Sequence, residues 1–176
     1  VDDRAVLDHF DVIDLVASRQ VHRQIEHERL ARTGLEDVAG MAAVGKLLRL
    51  KEFRTWHAGQ TLEGVKHLKG LTNLKNLTLG QRLAYKPPTT IADDTLAVLA
   101  ELKSLETLEL QEARLKRESL VQLKALTGLK TLTLAGIDIA EADVEQLRKD
   151  LTGVEVKWSK PNDVYQKRID ALFGKP

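Results

Sequence analysis

The chain has 176 residues, 43% hydrophobic and 30% charged, a balance that fits one globular unit with its own core and argues against disorder. A formal net charge of +1 spreads no field of one sign over the molecule, which weakens the electrostatic case for nucleic acid or an anionic membrane, and no apolar run reaches the roughly 18 residues of a membrane span. The absence of cysteine excludes disulfides, thiolate metal sites and a cysteine nucleophile, and favours an exported, extracytoplasmic location over the cytoplasm.

The chain opens at Val1 with no charged-then-apolar leader, which fits a trimmed or processed form whose export signal has been removed. Val6, Phe10, Ile13, Ala17, Val21 and Ile25 recur at three- and four-residue steps, so residues 4–31 read as one long amphipathic helix or two shorter ones. Leu35, Val38, Met41 and Val44 continue the stripe, and residues 1–46 form a helical N-terminal segment. His22, Glu26 and His27 lie close together in "HRQIEHER", but the spacing is not that of H-E-x-x-H, and Arg23 and Arg29 would repel a cation. A solvated, ion-paired helix face is the simpler reading, and no metal site is expected.

From Leu47 a phrase begins to repeat. "LTNLKNLTL" from Leu71, "LKSLETLEL" from Leu102 and "LTGLKTLTL" from Leu126 share one pattern, L-x-x-L-x-x-L-x-L, and a looser copy starts at Leu47. The starts are 24, 31 and 24 residues apart. In each copy the last residues alternate, so Leu132 and Leu134 face one side of a strand while Thr131 and Thr133 face the other. Beyond each strand the apolar spacing becomes helical, as in Val65 and Leu68, Leu96 and Leu99, Leu120 and Leu123, and Val144 and Leu147. One strand and one helix of this length cannot bury their leucines alone, so successive units must stack, strands beside strands and helices beside helices.

The 31-residue unit carries about seven extra residues in "GQRLAYKPPTTI", between its strand and its helix. Pro87 and Pro88 stiffen this loop, 81–90, and beside Arg82 and Lys86 they make Tyr85 an anchor of the kind enriched at interfaces. The plainer alternative is a tolerated surface insertion. At the far end "LTGVEVKW" is a shortened unit in which Val154, Val156 and Trp158 alternate inward. Pro161 and Asn162 then start a helix whose Tyr165, Ile169, Leu172 and Phe173 share a face, and Gly174 stops it. Residues 159–176 are expected to be a C-terminal capping helix, with Trp158 as core beneath it.

The repeated phrases, with the helical stretches "TIADDTLAVLAEL", "LKRESLVQLKAL" and "IDIAEADVEQL" that follow them, resemble the leucine-rich-repeat family, most closely its bacterial members. The likeness covers residues 47–158. It implies an α/β leucine-rich-repeat solenoid, a short right-handed strand–helix arc with a parallel sheet on the concave face, helices on the convex face and helical caps at both ends. It also implies a surface used mainly for protein binding. The chain departs from the family where an Asn commonly follows the strand: Ala58, Arg82, Ala113 and Ile137 stand there, so other backbone groups or water must satisfy the loop amides. The catalytic cysteine of bacterial leucine-rich-repeat ubiquitin ligases has no counterpart.

Alternation assigns the concave face to Glu52, Arg54 and Trp56, then Asn76, Thr78 and Gly80, then Thr107, Glu109 and Gln111, then Thr131, Thr133 and Ala135. Trp56 shares a column with Gly80, Gln111 and Ala135, and an aromatic beside small neighbours suits a partner side chain; cover by the N-terminal helices is the alternative. No phosphate loop, G-x-S-x-G or paired-acid motif appears, and Ser104 and Ser119 occupy a turn and a helix start. The expected function is non-catalytic protein binding by a monomer through Arg54, Trp56, Thr78, Arg82, Tyr85, Lys86, Glu109, Gln111 and Thr133, without cofactor, metal or nucleic acid. A structural or spacer domain of a larger bacterial polypeptide is the alternative, and a metal-dependent or enzymatic role is third.

Overall fold

In the computed structural model, residues 38–58, 61–81 and 91–175 are described, with the side chains of 38–39, 56–58 and 81 excepted. The expected helices over 4–31, and His22, Glu26 and His27, lie outside the described residues. The first described element is α1 (Val38–Gly45). Its Met41 and Val44 are fully buried, which is the inward stripe read from the sequence. Gly45 packs directly on the His67 carbonyl, where a Cβ would collide with backbone.

Five strands follow: β1 (Glu52–Ala58), β2 (Asn76–Gln81), β3 (Thr107–Gln111), β4 (Thr131–Ala135) and β5 (Glu155–Ser159). They form one all-parallel sheet in chain order, so every strand lies beside its sequence neighbour. Between them run α2 (Leu62–Lys66), α3 (Asp93–Leu99), α4 (Arg117–Leu120) and α5 (Glu141–Asp150), and α6 (Asp163–Phe173) closes the described chain. The last strand is not shortened, for β5 spans five residues, as β3 and β4 do.

The register explains the repeated phrase. Phe53, Leu77, Leu108, Leu132 and Val156 stand side by side across the sheet, and so do Leu79, Leu110, Leu134 and Trp158. Leu50, Leu74, Leu105 and Leu129 are buried just before the strands, and the inward residues of the helices join them in one core. Each buried leucine contributes about 1.5–3 kcal/mol relative to an exposed one, so the rows give the sheet its register as well as its stability. The turn that opens each phrase is the same throughout: Leu50, Leu74, Leu105, Leu129 and Val154 each donate from N–H to the carbonyl three residues earlier, at 2.8–3.0 Å.

The helical halves differ from expectation in two units. α2 and α4 pass into 3₁₀ turns at His67–Gly70 and Val121–Ala125. Spacing by three does not decide this, since the same step at Leu96 and Leu99 and at Val144 and Leu147 lies wholly in α-helix; Val65 and Leu68, and Leu120 and Leu123, each straddle the junction of α-helix and 3₁₀ turn. All of these residues are fully buried.

Candidate functional site

The non-core face of the sheet is built by the alternate residues of its strands. One column is Glu52, Asn76, Thr107, Thr131 and Glu155; the next is Arg54, Thr78, Glu109, Thr133 and Lys157; the third includes Gly80, Gln111, Ala135 and Ser159. The structure therefore brings Arg54, Thr78, Glu109 and Thr133 into one row, with Gln111 in the next. Their charges are arranged symmetrically, with cations on the two outer strands and one carboxylate in the middle. Within strands these groups interact: Arg54 lies 3.7 Å from Glu52, Lys157 lies 3.2 Å from Glu155, and Gln111 Nε2 donates to Glu109 Oε1 at 2.7 Å.

The column expected for Trp56 is interrupted. Thr55 pairs with Leu79 and Ala58 with Gln81, so Trp56 and His57 together stand against Gly80 alone, which is a bulge in β1. The peptide N–H of Gly80 then donates to Thr55 Oγ1 at 3.3 Å. The Trp56 side chain, and Arg82, Tyr85 and Lys86 of the inserted loop, lie outside the described residues.

At the C-terminal ends of β3, β4 and β5 the face runs into an open cleft of about 260 Å³, lined in part by Gln111, Glu112, Ser159, Lys160, Asn162 and Tyr165. Sequence reading found only Gln111 of these as a face residue, because the cleft is made by placing the start of α6 beside the strand ends. Its floor has a local signature. Glu112 and Gly136, each the residue after its strand, adopt φ of 60° and 63°. Glycine takes this conformation freely, whereas Glu112 holds it at a steric cost.

At the post-strand positions where the sequence likeness would call for Asn, other groups stand. Ala113 and Ile137 are fully buried, and neighbouring chain supplies the acceptors: Ile137 N–H donates to Ser159 O (3.2 Å), Asp138 N–H to Ala113 O (2.8 Å) and Gly136 N–H to Ser159 Oγ (3.0 Å). Ser159 thus ties the end of β5 to the loop that follows β4.

α6 is held to these loops by polar contacts. Arg114 pairs with Asp138 at 2.6 Å and Asp170 at 2.5 Å and also reaches the Gly174 carbonyl, while Gln166 Nε2 bridges the same two carboxylates at 3.0 Å each. The hydrogen bond from Gln166, with Arg114 alongside, holds the Asp170 carboxyl below its ordinary range. Asn162 caps the helix, accepting from Tyr165 N–H at 2.9 Å, as the sequence indicated. Ile169 is fully buried, and Tyr165, Leu172 and Phe173 are half-buried. Trp158 packs against the core as expected but is half-buried rather than fully inside; its indole N–H donates to the Ile137 carbonyl at 2.9 Å and Lys160 stands over its ring.

Among the described residues, no group of three or more His, Asp or Glu side chains is placed to hold a metal ion, and no helix is long and apolar enough to cross a membrane. Comparison of the chain with models of protein families finds no match, and comparison with curated proteins finds no significant relative.

Proposed function

We propose that the chain is a leucine-rich-repeat arc that binds a protein partner, without catalysis, on the polar face of its sheet, the adjoining cleft and the inserted loop 81–90. The observation that carries the reading is the register: a repeated phrase whose leucines form the core leaves one side-chain column per alternate position free to vary. The chain uses that freedom to set Arg54, Glu109 and Lys157 on a neutral field of Thr78 and Thr133. Such a surface offers polar side chains on rigid elements at fixed strand spacing, which suits recognition of a folded or extended polypeptide.

A quantitative pull-down from lysate and cell-surface fractions, followed by calorimetry with the purified captured protein, tests this. Thr133→Arg puts a long charged side chain in the middle of the face and is expected to weaken binding at least about tenfold. Trp56→Ala with Tyr85→Ala tests the loop side in the same assay. Binding unchanged in both variants would move the site away from this face.

A second reading rests on the internal pairing of the face. Arg54 with Glu52, Gln111 with Glu109 and Lys157 with Glu155 satisfy one another within the chain, as expected of a spacer domain in a larger bacterial polypeptide. A wild-type chain that captures no specific partner supports that alternative.

A further inference from the structure

β5 is the outer strand of the sheet among the described residues. Its Glu155 N–H donates to Lys130 O and its Ser159 O accepts from Ile137 N–H, so the odd-numbered residues turn their peptide groups toward β4. The peptide groups of Val156 and Trp158 therefore point the other way, to the open edge, where unpaired donors and acceptors template pairing with another strand. One of them is already occupied. Arg148, on α5, donates from Nε to the Val156 carbonyl at 3.3 Å while its Nη1 pairs with Glu145.

We infer that Arg148 is an edge guard, which keeps the β5 edge of a second copy of this chain from pairing antiparallel with its own. The choice of partner follows from the charge pattern. A two-fold pairing centred on Val156 sets Val156 opposite Val156 as a hydrogen-bonded pair, and its two central bonds both need the Val156 carbonyl that Arg148 holds. The same register sets Lys157 of each copy opposite Glu155 of the other, two favourable cross-strand pairs on one face. The edge is thus complementary to itself, and the guard stands at the centre of the match. This surface is the rim of the sheet, so the inference holds whether or not the polar face binds a partner.

Sedimentation velocity of the full 176-residue chain over a range of concentrations tests the guard. Arg148→Ala is expected to keep its fold, since the side chain is 41% exposed and Ala is the best helix former, and circular dichroism checks this. Its dimerisation should be at least about tenfold tighter than that of the wild type. Arg148→Lys, which retains a donor, should stay monomeric. Arg148→Ala with Lys157→Glu should return to monomer, because the register then sets a carboxylate of each copy against Glu155 of the other, a repulsion made twice. The inference is overturned if Arg148→Ala stays as monomeric as the wild type, if the wild type dimerises equally well, or if the added Lys157→Glu leaves the dimer intact.

Discussion

Thr55 shows how one side chain settles a local geometry. It occupies the position at which β2, β3 and β4 carry Leu79, Leu110 and Leu134, and it is 1% exposed. A hydroxyl in an apolar row costs free energy unless it is bonded, and the bulge supplies the reason for it: Gly80 N–H finds its acceptor at Thr55 Oγ1. Replacement by the isosteric Val keeps the packing and strands that N–H. Thr55→Val is expected to lower stability by about 1–3 kcal/mol, seen as a lower urea midpoint with an unchanged slope. A higher midpoint would mean that the row prefers a hydrocarbon and that the bulge satisfies Gly80 by other means. The sequence marks Thr55 as a departure from the repeated phrase, but its purpose depends on Gly80, 25 residues away, and so is not legible there.

At the scale of elements, the units are joined by a regular seam just before the strands. The carbonyls of Lys51, Lys75 and Glu106 each accept two N–H groups from the next unit, and Lys130 O accepts from Glu155. Over this seam Glu106 binds Lys130 at 2.5 Å and also Lys75, one carboxylate spanning three units. The Lys130 and Lys75 ammonium groups lower its pKa from 4.5 to about 2. Because the folded value is the lower one, the stabilisation is complete above about pH 4.5 and is lost as pH falls toward about 2. Glu106→Gln is expected to be less stable than the wild type near neutral pH and to converge with it near pH 2, read as melting temperature against pH. The difference should shrink with added salt, since these side chains reach solvent. Parallel curves for the two proteins across that window would remove Glu106 from the seam. The helical halves were legible as helical from spacing alone, but their 3₁₀ turns became visible only with the hydrogen bonds. Spacing by three fits either helix over so short a run.

At the scale of the molecule, one core runs without a break from Met41 to Val156, and the leucine rows cross the boundaries between β2, β3 and β4. Neighbouring units therefore share their buried surface, and loss of one side chain is felt by both neighbours. Leu110→Ala, in the central strand, is expected to cost about 2–5 kcal/mol and to leave a single transition in which circular dichroism and tryptophan fluorescence coincide. Separate transitions would show that the two halves of the sheet fold independently. What the sequence determined by itself is the alternation of strand and helix, the leucine rows, the columns of the polar face and the cap at Asn162. These follow from periods of two to four residues, which neighbouring residues impose on one another. Tertiary structure alone decided the bulge at Trp56, the cleft at the strand ends, the Arg114 clamp on α6 and the grip of Arg148 on the β5 edge. Each joins groups brought together by stacking or by a turn of chain, and their chemistry exists only once the peptide groups have been assigned their directions.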